Sequence, residues 1–193
     1  MLRRLRDYET FEVWSRDGRN LGRVEDFYFD EDRWTVRYIV VKTGDWLTGY
    51  SVLLSPMTID RLRWDDARID FRLSADQIKS APSPHAPGRS VDEVTGYHIH
   101  AVDGDIGHID DFMIDDRSWT IRYLMIDTSN WIGGRTVLVA PEWASRIDWT
   151  KKEIYVDVTR EDVEQSPEYD PSADIDGRYE ERLAESFRRP VKK

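Results

Sequence analysis

Three histidines in the second half of the chain are the residues whose type and spacing first suggest chemistry. His98 and His100 are two positions apart, so on a strand both side chains lie on one face, and His108 falls on the next predicted strand. Imidazole nitrogens are common ligands of divalent metals. The spacing therefore makes His98, His100 and His108 a candidate metal site, with ordinary surface histidines as the alternative interpretation.

Other reactive arrangements do not occur in the sequence. There is no Cys, which excludes disulfides, thiolate zinc sites, iron–sulfur clusters and Cys nucleophiles. No Gly-x-Ser-x-Gly elbow and no phosphate-binding glycine loop is present, and the aspartates in turns do not form the pattern of a calcium-binding loop. We therefore predict a protein that is not an enzyme and that carries no cofactor.

Composition narrows the class of protein further. The chain has 193 residues, with 28 Lys and Arg against 38 Asp and Glu, which gives a net charge of −10. The negative charge argues against a nucleic-acid partner, and no apolar run approaches the ~20 residues of a membrane span. The first residues also lack the apolar segment of a signal peptide. We expect a soluble, cytoplasmic protein with a packed core.

An internal repeat organises these residues. The segment Gly22-Arg23-Val24-Glu25-Asp26-Phe27 returns 85 positions later as Gly107-His108-Ile109-Asp110-Asp111-Phe112. The same offset relates Trp34 to Trp119 and Tyr38 to Tyr123, without a gap. A duplication of this length indicates two similar domains, and the fold must be derived from the repeated unit.

Each copy has the pattern of β-structure. Residues 34–42 and 119–127 are rich in β-branched and aromatic residues, and each is followed by a second strand that ends at a proline. A hairpin closes each copy, followed by a short helix that starts with a capping box at Ser74 and with a weaker one at Thr159. We predict a first domain over residues 1–80, a Pro-rich linker over 81–89, a second domain over 90–167 and a C-terminal tail over 168–193. The spacing of Tyr179, Leu183 and Phe187 by four residues predicts a short amphipathic helix in this tail.

The first hairpin of each copy suggests two ion pairs. If the turn comprises residues 30–33, Asp26 lies opposite Arg37, and in the second copy Asp111 lies opposite Arg122. These could form a repeated charged site or a structural pair that sets the register of the strands. We favour the structural interpretation, because neither pair has a third catalytic group nearby in the sequence.

Two equivalent loops, one in each copy, carry a large aromatic residue near glycines. Trp46 and Leu47 occupy one loop, and Trp131 and Ile132 occupy its twin in the second copy. A Trp on such a loop is typical of an interface anchor, and the alternative is that it folds back to close one end of the domain. Trp46, Leu47, Trp131 and Ile132 are therefore interaction candidates.

The duplicated pattern resembles a known family, the PRC-barrel domain. The matching segments are residues 21–27, 34–41, 46–49 and 52–56, with their second copies at 106–115, 119–126, 131–134 and 137–141. The chain is similar in these segments to tandem PRC-barrel proteins of bacteria, to the cytoplasmic domain of the photosynthetic reaction centre H subunit and to the C-terminal domain of the ribosome maturation factor RimM. The resemblance implies an all-β fold of two small antiparallel barrels in tandem, with short helices at the barrel ends.

The resemblance also implies a non-catalytic role. Its relatives assemble with larger complexes or tune them, so we expect a protein-interaction or assembly module whose partner is an unidentified protein. The alternative is a metal-binding or small-ligand-binding protein that uses the His cluster or a cleft between the barrels. A homodimer, or an internal pseudo-dimer of the two barrels, is a further expectation from the repeat.

Overall fold

Strands form most of the regular structure. The computed structural model describes residues 1–44, 49–83, 88–129, 131, 133–173 and 175–188. Its strands are β1 (Leu2–Arg4), β2 (Glu12–Trp14), β3 (Asn20–Asp30), β4 (Thr35–Thr43), β5 (Ser51–Leu54), β6 (Ile59–Arg63), β7 (Arg68–Phe71), β8 (Arg89–Ser90), β9 (His98–Ala101), β10 (Gly104–Asp115), β11 (Thr120–Asp127), β12 (Thr136–Val139), β13 (Ala144–Asp148) and β14 (Glu153–Val156).

The helices are few and short. They are α1 (Ala75–Lys79), α2 (Val91–Val94), α3 (Arg160–Gln165) and α4 (Gly177–Ser186), with 3₁₀ turns at Leu5–Thr10, Pro56–Thr58 and Pro141–Trp143. The capping boxes predicted at Ser74 and Thr159 are confirmed, because both hydroxyls accept the N–H three residues later. Within the described residues, no helix is long and apolar enough to cross a membrane.

The chain divides into two compact units. The first unit comprises Arg3–Glu93 together with Asp116–Thr120, and the second comprises Met1–Leu2, Val94–Asp115 and Ile121–Lys193. Each unit is therefore built mainly from one copy of the repeat. The tip of the β10–β11 hairpin, however, belongs to the first unit.

The strands of the two units have the same order. In the first unit the order is β5, β4, β3, β2, β7, β6, and in the second it is β12, β11, β10, β9, β14, β13. The pairs β2–β7 and β9–β14 run parallel, a feature that the expectation of antiparallel barrels did not include. The hairpins β3–β4 and β6–β7 of the first unit are antiparallel, as predicted.

A glycine at the same place in each copy allows two strands to approach closely. Gly22 has a φ of 135° and Gly107 a φ of 128°, which are left-handed values that residues with a side chain rarely adopt. A Cβ at Gly22 would lie 1.9 Å from the carbonyl oxygen of Lys42, and at Gly107 2.0 Å from that of Asp127. Both glycines lie beside a bulge, where the backbone requires a residue without a side chain.

The core of the first unit contains an aromatic cluster. The Tyr8 ring lies 4.9 Å from Trp64, 6.0 Å from Phe27 and 5.4 Å from Trp119, measured between centroids. Trp119 is 6% exposed, whereas its counterpart Trp34 is only half-buried and stacks on Phe29. A residue of the second repeat therefore completes the core of the first unit.

Candidate functional site

The centre of β4 and of β11 carries an Arg-Tyr pair at the same position of the repeat. These are Arg37 and Tyr38 in the first unit and Arg122 and Tyr123 in the second. Buried Val, Ile and Leu residues around them fix both strands within their sheets. We call Arg37–Tyr38 and Arg122–Tyr123 the first and second Arg-Tyr pairs.

In the second unit this pair binds helix α4. Arg122 Nη2 donates to Glu180 Oε1 at 3.4 Å, and the Tyr123 hydroxyl donates to the same oxygen at 2.8 Å. Tyr123 is fully buried, and burial together with the Glu180 carboxylate raises the pKa of its hydroxyl well above the usual range. The second Arg-Tyr pair thus acts as a receptor for one carboxylate.

Apolar contacts hold the same helix against the unit. The Tyr179, Leu183 and Phe187 side chains predicted to share one face are all buried. The Phe187 ring packs on Trp143 with 4.5 Å between centroids. The Asp176 carboxylate accepts from the Tyr179 N–H and so caps the first turn. The helix is therefore placed by an apolar face and oriented by Glu180.

In the first unit the same pair lines an open cleft. The cleft has a volume of about 670 Å³, and its lining residues are Asp30, Glu31, Asp32, Arg37, Tyr38, Ser55, Gly88 and Arg89. The Arg37 side chain is 43% exposed, compared with 18% for Arg122. Within the described residues the Tyr38 hydroxyl makes no hydrogen bond, whereas its twin donates to Glu180.

The charges in this cleft are paired with one another. Arg37 Nη2 lies 3.0 Å from Asp30 Oδ2, and Arg89 Nε lies 2.7 Å from Glu31 Oε2. The hydrogen bond from Arg37 lowers the pKa of Asp30 below its ordinary value. The cleft therefore presents two guanidinium groups that are each paired with a partly exposed carboxylate.

The predicted Asp26–Arg37 pair is wrong. Asp26 lies opposite Val40, because Trp34 has a φ of 51° and belongs to the turn, so β4 starts at Thr35 and the register shifts. An irregularity between Tyr28 and Phe29 adds a further shift. Arg37 consequently reaches Asp30.

Asp26 instead holds the segment that follows the linker. Its carboxylate accepts from the Ser90 hydroxyl and from the N–H groups of Phe27 and Asp92. Burial nevertheless raises the pKa of Asp26 above its ordinary value. In the second copy Asp111 accepts from the Phe112 N–H, and the arginine expected opposite it, Arg122, donates to Glu180. The two aspartates therefore act as local organisers of the backbone.

The three histidines do not form a shared metal site. His98 Nδ1 and His100 Nδ1 lie 3.6 and 3.9 Å from Asp105 Oδ2, whereas His108 Nε2 lies 3.8 Å from Asp127. Among the described residues, no group of three or more His, Asp or Glu side chains is arranged to hold a metal ion. The His100 ring instead stacks on Tyr155, at 5.0 Å between centroids.

The loop candidates are described only in part. Trp46, Leu47 and Ile132 lie outside the described residues. Trp131 is half-buried, and the guanidinium carbon of Arg160 lies 4.3 Å from its ring centre. A cation–π contact of this kind holds the ring against its own unit.

Sequence reasoning missed Glu180 as a functional residue and Arg37–Tyr38 as a surface. The available signal was the repeat itself, since Arg37 and Tyr38 recur as Arg122 and Tyr123 at the offset of 85. The docking of Glu180, which is 58 residues from Arg122, left no local pattern.

The family assignment follows from the repeated architecture and from the sequence. The family model of the PRC-barrel domain matches residues 2–73 and again residues 90–163. The chain therefore belongs to the PRC-barrel domain family and contains two such domains in tandem. No curated protein matches the chain.

Proposed function

We propose that the chain is a non-catalytic protein-interaction or assembly module built of two PRC-barrel domains. The observation that carries this proposal is the docking of α4, in which the second Arg-Tyr pair binds a helix through Glu180. The first unit carries the same pair on an open surface, with no docked counterpart of α4 among the described residues. In a module that binds helices at this face, the face of the second unit is occupied by α4 and the face of the first unit is available to a partner.

The charged residues of the cleft favour a docking surface and do not provide a general base for catalysis. A general base needs a carboxylate or imidazole held near neutral pKa, whereas the pKa of Asp30 is lowered by its bond to Arg37. The cleft residues pair with each other in a way that suits an electrostatic docking surface. We therefore place the protein among assembly modules and assign it no reaction.

The Trp-bearing loops are a second part of the proposed surface. Trp131, next to Ile132, is half-buried under Arg160, so its outer edge is accessible to a partner. Trp46 and Leu47 are the equivalent positions in the first repeat. Large aromatic residues at such positions contribute strongly to interfaces.

The test is capture of a partner in native cells followed by reconstitution. The full chain is compared with three variants: Arg37→Gln with Tyr38→Phe, Trp46→Ala with Trp131→Ala, and Arg33→Gln as a matched charge control outside the cleft. We expect a purified partner to bind the wild type directly and the control equally well, with at least one surface variant weakening binding about tenfold or more. A captured set that does not bind when purified, or that ignores both surface variants, would contradict the proposed function.

A further inference from the structure

The second Arg-Tyr pair shows what ligand chemistry this arrangement recognises. Two donors, the Arg122 guanidinium and the Tyr123 hydroxyl, converge on a single carboxylate oxygen of Glu180. Guanidinium–carboxylate hydrogen bonds are among the stronger polar contacts in proteins, and the phenol adds a directional donor. The pair therefore binds a glutamate carboxylate that is presented by a helix.

The first Arg-Tyr pair offers the same donors to an external ligand. The Arg37 guanidinium and the Tyr38 hydroxyl face a cleft of about 670 Å³, which also contains Arg89. The present partner of Arg37 is Asp30, whose side chain is 28% exposed. An exposed pair of this kind contributes little to stability, so an incoming carboxylate can replace Asp30 at small cost.

The acidic rim of the cleft adds a second requirement. Asp30, Glu31 and Asp32 line it together with the two arginines, so a carboxylate alone would meet repulsion there. A basic residue one turn away on the same helix would offset this charge. Helix α4 itself lacks this pattern, because Arg178 and Arg182 are two positions from Glu180 and lie on other faces of the helix.

Packing argues against α4 of a second copy as the occupant, because α4 already packs on its own unit. Phe187 packs on Trp143, and the position of Trp143 is occupied by Thr58 in the first repeat. Undocking α4 would also expose the buried side chains of Tyr179 and Leu183. A different helix, without a bulky aromatic at that position, fits the first unit better.

We infer that the cleft at Arg37 and Tyr38 docks a glutamate-bearing helix of a partner protein, as Arg122 and Tyr123 dock α4. The partner helix carries a glutamate for the Arg-Tyr pair and a basic residue one turn away for the acidic rim. This inference rests on the proposed function and names the class of partner.

A helical peptide derived from α4 tests the inference on the full chain. The probe is a fluorescein-labelled peptide of residues 175–188 with two changes: Phe187→Ala removes the bulky aromatic, and Ala184→Lys places a basic residue one turn after Glu180. A lactam between Glu181 and the lysine of Glu185→Lys, both on the solvent-facing side of the helix, constrains the peptide. Preorganisation reduces the entropic cost of binding, so we expect saturable anisotropy with a Kd on the order of 10–100 μM. Glu180→Gln in the peptide should weaken binding about tenfold.

Protein variants locate the bound peptide. Arg37→Gln should weaken binding about tenfold and Tyr38→Phe about threefold, whereas Arg33→Gln should leave it unchanged. A peptide that does not bind, that binds equally without Glu180, or that binds Arg37→Gln as well as the wild type would overturn the inference. A concentration-dependent dimer of the full chain that is lost in Arg37→Gln would assign the cleft to a second copy and would also overturn it.

The failure of this inference is distinguishable from the failure of the proposed function. If a purified partner binds the wild type and loses affinity with the Trp46→Ala and Trp131→Ala variant, while the peptide gives no Arg37-dependent signal, the module remains and the helix class is rejected. If neither the partner nor the peptide binds, both are rejected.

Discussion

The two PRC-barrel units carry the same Arg-Tyr pair in opposite states. In the second unit Arg122 and Tyr123 lie under α4 and share the Glu180 carboxylate, whereas in the first unit Arg37 and Tyr38 line an open cleft. The strands that present the two pairs occupy equivalent places in the sheets. The difference therefore lies in what covers the strand: α4 covers the pair in the second unit, and the pair in the first unit lines an open cleft.

The same contrast appears at the hairpin tips, where it gives the largest expected effect. Trp119 lies in the aromatic cluster of the first unit, and Trp34 is a half-buried ring stacked on Phe29. Trp119→Ala removes a buried indole and should lower the free energy of unfolding by about 3–5 kcal/mol. Trp34→Ala should cost about 1 kcal/mol.

Urea unfolding followed by circular dichroism measures both changes on the same chain. Each substitution places alanine at a positive φ, because Trp34 and Trp119 have φ values of 51° and 57°, so backbone strain cancels in the comparison. Equal losses in the two variants would contradict the asymmetry of the two tips.

The second largest effect is expected at the apolar face of α4, which holds this helix against its unit. Leu183 is fully buried, so Leu183→Ala should lower the free energy of unfolding by about 2–4 kcal/mol. Glu181→Ala, at an exposed position of the same helix, should change it by less than ~0.5 kcal/mol. Hydrogen exchange of the α4 amides reports the loss directly, and similar exchange in both variants would show that Leu183 does not anchor the helix.

Features encoded by a local pattern were predictable from the sequence. The apolar spacing of Tyr179, Leu183 and Phe187 predicted α4 and its buried face, and Ser74 and Thr159 predicted two helix starts. The family and the tandem repeat were also correct, since they depend on the periodic recurrence of residues such as Gly22 and Gly107.

Features that depend on turn geometry or distant contacts were not predictable. The sequence pattern predicts Trp34 as the first residue of a strand. In the structure its positive φ places it in the turn, and this shifts the register of Arg37. Non-glycine residues rarely adopt that conformation, so the pattern gave no sign of it. The carboxylate that binds Arg122 comes from 58 residues away, and its charge resembles that of any exposed helix residue.

Removing one hydroxyl from each unit sharpens the comparison of the Arg-Tyr pairs. Tyr123→Phe deletes the donor that lies 2.8 Å from Glu180 and leaves that carboxylate with Arg122, so we expect a loss of about 1–2 kcal/mol in unfolding free energy. Tyr38→Phe should change it by less than ~0.5 kcal/mol, because its hydroxyl faces the open cleft. Comparable losses in the two variants would mean that the first pair is also covered in solution.

Two carboxylates of the first unit give the smallest expected effect, with opposite signs. Burial raises the pKa of Asp26, so its contribution to stability is fully present at low pH and is lost as pH rises through its folded pKa. The bond from Arg37 lowers the pKa of Asp30, so its contribution is present at neutral pH and is lost as pH falls.

Between about pH 4 and pH 7, the unfolding free energy of the wild type relative to Asp26→Asn should therefore fall, because protonated Asp26 is the favoured form and asparagine does not titrate. Relative to Asp30→Asn the unfolding free energy should rise with pH mainly at and below about pH 4, where unfolded aspartate titrates, and urea titrations at several pH values measure both slopes. Slopes of the same sign would mean that Asp26 is held by its hydrogen bonds to Ser90 and Asp92 more strongly than burial opposes its charge.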